Sequence, residues 1–193
     1  QSEGKNIMPG TSKLSELKSL FSEHGVSRIF LKHLAPHQDN DKNQIMLGSE
    51  LTNLPFPMEI ESRGRSKSAA KRHSKKGELI LQAKLNFAWM DQNANLHEAP
   101  DAKIIHYQQY PEIRFSGFLN KCTYRPDALR KRNQKKYGKR ILIFGVTSGD
   151  MTVGFVLTEL EDPLVKRFPD VSLFPGLSLI RSLHFEITST KNP

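Results

Sequence analysis

The 193-residue sequence contains one cysteine, one tryptophan and no long apolar run. The lone Cys122 excludes an internal disulfide framework and a zinc site made only of cysteines, a usage typical of a reducing compartment. A membrane-spanning helix needs roughly 20 consecutive apolar residues, and the N-terminal residues lack the apolar stretch of a signal peptide. We therefore expect a soluble, cytoplasmic protein.

Acidic residues are missing from two stretches of the chain. Residues 63–76 and residues 130–140 each contain seven Lys or Arg and no Asp or Glu, whereas the remaining residues carry a net charge of −5. The overall charge of +9 thus comes from two basic runs on a mildly acidic body. Each run alone could be a solvated loop. Two runs in one chain favour contacts to phosphates, which hold a nucleic acid without reading its sequence.

Helical patterns are also scarce. One amphipathic helix is predicted between Ser12, which can cap it, and Gly25, which ends it. Most other segments are typical of short strands separated by turns. The predicted strands are Val26–Leu31, Glu78–Ala88, Ala102–Tyr107, Ile113–Leu119, Ile141–Thr147, Met151–Thr158 and Leu183–Thr188. Gln44–Leu47 has an extended pattern, and Met58–Ser62 is a possible further strand.

This pattern predicts a mostly β fold, a barrel or sandwich of about seven or eight strands with one or two short helices. Alternation with period two indicates one continuous strand over 78–88. The unbroken apolar sequence of Ile141–Thr147 indicates a buried strand, and Ser148–Asp150 is a hairpin turn. Residues 1–10 are expected to form a flexible tail, and residues 11–193 a single domain.

Most motifs for catalysis or metal binding are missing. No glycine-rich phosphate loop precedes a helix, and His33 and His37 have no second pair at the spacing of zinc ligands. Cys122 has basic neighbours in Lys121 and Arg125, which could favour its thiolate. No orienting histidine can be assigned to it, so a structural cysteine is favoured over a nucleophile.

One catalytic pattern is present. Asp101 is followed by Glu112 and Arg114, a spacing similar to that of nucleases whose carboxylates hold Mg²⁺ and whose lysine assists the attacking water. Arg114 stands in the lysine position and stays protonated, so it is a poor proton acceptor. A Mg²⁺-dependent nuclease that uses Asp101 and Glu112 is one alternative function.

Two polar segments beside predicted strands, residues 33–44 and 106–114, contain side chains that read base edges. Asn and Gln pair with adenine, Arg pairs with guanine, and acids accept from the cytosine amine. In the second segment Tyr107 and Tyr110 flank two glutamines and could contact sugar, thymine methyl or phosphate. Either segment could instead be an ordinary surface loop, and a non-specific nucleic-acid-binding module that uses only the basic runs is a second alternative.

The order of these features resembles a known family. The sequence IFLKHL at 29–34, followed by a polar loop to Gln44, looks like the start of the N-terminal effector domain of EcoRII-like restriction endonucleases, a DNA-binding pseudobarrel of the plant B-three type. The residues EIR at 112–114, a basic insertion and Arg140–Gly145 agree more loosely. Residues 110–119 also resemble a segment ahead of the nuclease domain in longer proteins of the MvaI/BcnI restriction family. The resemblance covers residues 14–160; the basic run 63–76 departs from it.

The resemblance implies two arms that grip the major groove, a first arm over Lys32–Gln44 and a second arm over His106–Ser116. Arg114 and Lys32 would contact guanines or phosphates, and Glu112 would contact a cytosine amine. The residues that would contact base edges are Asn40, Asn43, Gln108 and Gln109. The candidate DNA-binding residues are Lys32, His33, His37, Asn40, Asp41, Lys42, Asn43, Gln44, His106, Tyr107, Gln108, Gln109, Tyr110, Glu112, Arg114 and Ser116. The candidates for phosphate contacts are Arg63, Arg65, Lys67, Lys71, Arg72, Arg130 and Arg132.

The function implied by the resemblance is sequence-specific recognition of double-stranded DNA, with a short target such as CC(A/T)GG. The chain would be the effector domain of a bacterial Type IIE-like restriction endonuclease, would have no catalytic activity of its own, and would bind no metal or cofactor. Mg²⁺ is expected only in a separate nuclease domain, covalently linked in the full-length protein. We expect a monomer without a membrane partner.

Overall fold

The computed structural model describes residues 13–34, 43–48, 61–63, 80–107, 112–130, 133–167 and 178–180. These residues form a mostly β structure, as predicted, with strands in two sheets and short helices. The predicted tail at 1–10 and the predicted strand Leu183–Thr188 lie outside the described residues. None of the described helices is long and apolar enough to span a membrane.

The described helices are α1 (Lys13–Glu23) and α2 (Gln134–Tyr137), with 3-10 turns at Asp127–Leu129 and Pro163–Arg167. The strands are β1 (Val26–Leu34), β2 (Gln44–Gly48), β3 (Glu61–Arg63), β4 (Ile80–Lys84), β5 (Phe87–Met90), β6 (Leu96–Glu98), β7 (Lys103–Tyr107), β8 (Glu112–Ser116), β9 (Arg140–Thr147), β10 (Thr152–Thr158) and β11 (Ser178–Ile180).

The strands divide between two sheets. Sheet A has the order β11-β1-β9-β10-β5-β6, and only β10 and β5 run parallel among its described neighbours. Sheet B has the order β2-β8-β7-β4-β3 and is antiparallel throughout its described strands. The described strands outnumber the seven or eight that were predicted, partly because the strand predicted over 78–88 is in fact two strands.

The division of that predicted strand places its halves in different sheets. Leu85 N donates to Ala102 O (2.9 Å), next to β7 of sheet B, whereas Asn86 O accepts from Thr152 N (2.8 Å) at the start of β10 in sheet A. The chain therefore crosses from one sheet to the other between these two residues. The period-two pattern did not reveal the crossing because Leu85 and Phe87, on either side of it, are both buried.

Aromatic rings fill the core between the two sheets. The ring centroid of Phe87 lies 4.9 Å from that of Trp89 and 4.9 Å from that of Phe115 in sheet B. Phe115 stacks on Phe118 at 4.7 Å, and Trp89 Nε1 donates to Phe118 O at 2.8 Å, which satisfies the buried indole. This core joins the sheets and fixes which side of sheet B faces outward.

Sheet A is covered on both faces, so β9 and β10 are buried along their whole length. On the face away from sheet B, α1 packs Leu17 and Phe21 into a second core with Phe155. These contacts confirm the predicted helix and the prediction of a buried strand in β9. The predicted hairpin turn after β9 is also present, with Asp150 at a φ of 61°.

Asp91 organises the turn between β5 and β6. Its carboxylate accepts hydrogen bonds from Asn93 N (2.8 Å), Asn95 N (3.0 Å) and His97 Nε2 (2.7 Å). Burial opposes the ionisation of Asp91, but these hydrogen bonds outweigh it and lower the pKa from 3.8 to about 2. The His97 ring in turn stacks on Tyr124 (centroids 4.9 Å apart), and burial raises the pKa of Tyr124 to about 12.

The lowered pKa of Asp91 predicts an acid-dependent contribution to stability. Because the folded pKa lies below the unfolded value, the contribution is present above about pH 4 and is lost as the pH falls through about 2. We expect Asp91→Ala to lower the free energy of unfolding by about 1–3 kcal/mol at pH 7, with a smaller difference at each step toward pH 2. Asp91→Asn keeps an acceptor oxygen, so its free energy of unfolding should lie between those of wild type and Asp91→Ala. Urea unfolding from pH 7 to pH 2 measures this, and parallel profiles for wild type and Asp91→Ala would contradict it.

Gly154 in β10 is needed for close packing. A Cβ atom at this position would lie 2.4 Å from Phe87 Cζ and 2.9 Å from Trp89 Cζ3. Gly154→Ala should therefore cost about 1–3 kcal/mol of stability through overpacking, measured by chemical denaturation. Gly149→Ala is the matched control, because the nearest atom to its Cβ would be Thr147 Oγ1 at 3.9 Å. Equal losses in the two variants would refute the packing argument.

Candidate nucleic-acid interface

β8 presents alternate residues to the two sides of sheet B. Ile113 and Phe115 are 0% exposed and belong to the core between the sheets. Successive side chains of a strand point to opposite faces, so Arg114 and Ser116 lie on the outer face. Two of the β8 residues that the sequence selected in the second arm thus share one side of the sheet.

Residues of four strands form two rows across this side of sheet B. The antiparallel registers align one row along β8 position 116 and a second along position 114. We define the outer face by these eight residues: Gln44, Ser116, Lys103 and Lys84 in the first row, and Met46, Arg114, Ile105 and Gln82 in the second. Ile105 and Ser116 are only 7% and 8% exposed, whereas Lys84 is exposed and the other five are half-buried. The polar groups within reach of a partner are therefore those around Ile105.

The two predicted arms meet on the outer face. The Arg114 guanidinium donates a hydrogen bond from Nη1 to Gln44 Oε1 at 3.0 Å. Gln44 is the last residue of the first arm, and Arg114 lies in the second arm. The contact joins β2 to β8 and orients a planar fork of N–H donors, the group that recognises guanine or phosphate.

Two lysines of the outer face were not selected by sequence analysis. Lys84 and Lys103 are direct cross-strand partners in β4 and β7. Like charges placed directly opposite one another destabilise a sheet, and an anionic partner would remove that cost. The alternation over 78–88 already placed Lys84 opposite the buried side chains, but the pairing of the two strands cannot be read from local sequence.

Asn43 holds the end of the first arm rather than presenting its side chain to DNA. Its backbone is left-handed (φ 55°), a conformation that Asn tolerates better than most residues. Its Oδ1 accepts a hydrogen bond from Leu119 N (2.9 Å), and its backbone oxygen accepts one from Gly117 N (3.3 Å). The expectation that Asn43 contacts a base is therefore replaced by a role in positioning the first arm.

Three other residues that were predicted to bind DNA lie outside the outer face. Lys32 is 2% exposed in β1, and its neighbour in register is the core residue Leu142, so its side chain is not available to contact DNA. His33 belongs to β1, not to a loop as predicted. His106 lies across from the core residue Ile113, and its Nδ1 is buried without a hydrogen-bond partner among the described residues. The outer face therefore excludes Lys32, His33 and His106.

The remaining candidates lie wholly or partly outside the described residues. The side chains of Arg63, Tyr107 and Glu112 are not described, although their strands are. The candidates that lie wholly outside the described residues are His37, Asn40, Asp41, Lys42, Arg65, Lys67, Lys71, Arg72, Gln108, Gln109, Tyr110 and Arg132.

The first and second arms connect to sheet B at opposite ends of β8. Gln44 pairs with Ser116, whereas Tyr107 pairs with Glu112 at the other end of β7 and β8. At about 3.3 Å per residue, the two ends are roughly 13 Å apart. Arg63, the first residue of the first basic run, pairs with Ile80 at the same end as Tyr107.

The two carboxylates of the nuclease alternative lie at opposite ends of the β7–β8 hairpin. Asp101 O would be 2.0 Å from a Cβ on Gly117, and Glu112 is five positions earlier in the chain, or roughly 16 Å along an extended strand. Mg²⁺ ligands lie only about 2 Å from the ion. Asp101 instead pairs with Lys121 at 3.5 Å. This separation removes the geometric basis for a shared metal site.

The surroundings of Cys122, the remaining candidate nucleophile, are those of a structural residue. Cys122 is buried in the core between the sheets. Burial raises the pKa of its thiol despite the opposing charge of Arg125, so the thiol stays protonated and is a poor nucleophile. Among the described residues, no group of three or more His, Cys, Asp or Glu side chains could hold a metal ion.

Comparisons of the chain with protein families, curated proteins and solved structures gave no match.

The role assigned to Asn43 predicts an ordered series of stabilities. Asn43→Ala loses the hydrogen bond to Leu119 N and strains the left-handed backbone, so we expect a loss of about 1–3 kcal/mol. Asn43→Gly tolerates that backbone and should lose less, and Asn43→Asp, which keeps the acceptor, should lose least. Urea unfolding of the three variants measures the order. A glycine variant less stable than the alanine variant would contradict the assignment.

Proposed function

We propose that this chain binds double-stranded DNA in the major groove and recognises its sequence through the outer face of sheet B and the two arms that adjoin it. The observation that carries the proposal is the hydrogen bond between Gln44 and Arg114. It joins two segments that are distant in sequence and that were each selected for side chains able to read base edges.

The chemistry of the outer face suits this task. Arg114 can pair with guanine O6 and N7, and its orientation by Gln44 reduces the freedom lost on binding. An arginine carries five N–H donors in a planar fork. Lys84 and Lys103 supply charge that can hold the adjacent phosphates. Recognition and non-specific attraction thus come from neighbouring residues on one surface.

The resemblance to effector domains of EcoRII-like restriction endonucleases supports a more specific proposal. The chain would be a non-catalytic domain whose target is a short sequence such as CC(A/T)GG, and it would act on a nuclease domain of the same protein. The separation of Asp101 from Glu112 favours this role over the nuclease alternative.

Fluorescence anisotropy with a CC(A/T)GG duplex and a scrambled duplex of equal length tests the proposal. Measurements at about 50 and 200 mM salt separate phosphate attraction, which falls steeply with salt, from base recognition. We expect a preference of roughly 10³ for one sequence that persists at the higher salt. Selection from a randomised duplex identifies the target if it differs from CC(A/T)GG. Equal binding to all sequences would contradict specific recognition.

Arg114→Ala should weaken binding to the preferred duplex by about 1–3 kcal/mol and relax discrimination at one base pair. Arg28→Ala is the matched control, because Arg28 is exposed in β1, outside the outer face, and its replacement removes the same charge. If Arg114→Ala weakens binding to every sequence equally, Arg114 contacts the backbone and not a base.

A further inference from the structure

A second cationic surface lies where β9 of sheet A begins, and it shares no residue with the outer face of sheet B. We call it the basic corner and define it by Arg130, Lys135, Lys136, Lys139 and Lys166. The side chains of Arg130 and Lys166 are 42% and 66% exposed, and Lys135 and Lys136 are exposed. The second basic run thus combines with a lysine from the 3-10 turn after β10.

Carboxylates balance only part of this charge. Asp127 Oδ1 lies 3.5 Å from Arg130 Nε, and Glu159 Oε1 lies 3.1 Å from Lys166 Nζ. Among the described residues, no carboxylate pairs with Lys135 or Lys136; the Lys136 ammonium instead lies 4.9 Å from the ring centroid of Tyr137. The corner therefore keeps a net positive charge at neutral pH.

Hydrogen bonds hold the backbone of the basic corner in place. Tyr137 OH donates to Asp127 Oδ2 (2.9 Å), and Asn133 Nδ2 donates to Asp127 O (3.3 Å). Arg140, although part of the basic run, is only 1% exposed, and its Nη1 donates to Ala128 O at 2.8 Å. Arg140 is therefore a structural residue that ties the corner to β9. A fixed backbone lowers the entropy cost of binding to the exposed lysines.

The basic corner lies at the end of sheet A from which the first arm departs. Leu34, from which the first arm leaves sheet A, pairs in register with Arg140 at the start of β9. Arg140 also pairs with Thr158, and Glu159 N donates to Lys139 O at 2.8 Å. The corner and the start of the first arm thus share one end of sheet A.

We propose that the basic corner binds the phosphate backbone of the duplex that the first arm contacts, as a clamp that does not read sequence. This inference rests on the proposed function. Exposed lysines on a fixed backbone bind a polyanion through charge, and each phosphate neutralised releases counterions from the DNA. The corner thus contributes affinity, whereas the outer face of sheet B contributes discrimination.

The experiment compares wild type with the double variant Lys135→Gln/Lys136→Gln in the anisotropy assay with preferred and scrambled duplexes. The control is Lys13→Gln/Arg28→Gln, which removes the same number of positive charges as the corner variant but from α1 and β1. Each lost phosphate contact lowers the slope of log affinity against log salt by about 0.9. We expect the corner variant to lose between about 1 and 2 from the slope on both duplexes, with the ratio of the two affinities unchanged. Thermal melts confirm that both double variants fold.

The outcomes separate this inference from the proposed function. If the wild type prefers one duplex and the corner variant keeps the wild-type slope of log affinity against log salt, the clamp is overturned. Specific recognition by the outer face is then unaffected. A corner variant that loses discrimination places the lysines at the bases and overturns the clamp. Equal slope losses in corner and control variants attribute the effect to net charge and also overturn it. A wild type that binds no duplex, or prefers RNA, overturns both proposals.

Discussion

The burial of Ile113 and Phe115 in the aromatic core is the constraint on which the candidate interface depends. Once these two side chains face inward, the alternation of the strand directs Arg114 outward. A one-residue shift of β8 would exchange the two sets and bury a charged guanidinium. The register of sheet B is therefore fixed by packing, and packing brings Gln44 and Arg114 within hydrogen-bond distance.

The polar residues near this contact divide between positioning and recognition. Asn43 uses its side chain and its left-handed backbone to fix the start of β2, and Gln44 orients Arg114. Lys84 and Lys103 are cross-strand partners in β4 and β7. An anionic partner would relieve the repulsion between them, whereas a neutral or cationic partner would not. In the proposed account, discrimination comes from the oriented arginine, and affinity comes from lysines on the outer face and at the basic corner.

Local sequence predicted the features that depend on local physics. The helix between Ser12 and Gly25, the buried strand β9 and its hairpin follow from periodicity and turn residues, and the structure confirms the helix as Lys13–Glu23, the strand and the hairpin. The crossing at Leu85 and Asn86 could not be predicted, because the buried alternation continues through it. The burial of Lys32 and Arg140 was also missed, since charge and composition alone place such residues at the surface. The contact between Gln44 and Arg114 depends on pairing between strands 70 residues apart, which a single sequence does not specify.

Nuclear magnetic resonance of the side-chain N–H groups during titration with the preferred and the scrambled duplex tests the central claim most directly. The account predicts that the preferred duplex shifts the resonances of Arg114 and Gln44, whereas the scrambled duplex leaves them nearly unchanged. Trp89, whose buried indole N–H donates to Phe118 O, provides an internal reference that should not move with either duplex. Shifts confined to the lysines and equal for both duplexes would contradict recognition of sequence by the outer face of sheet B.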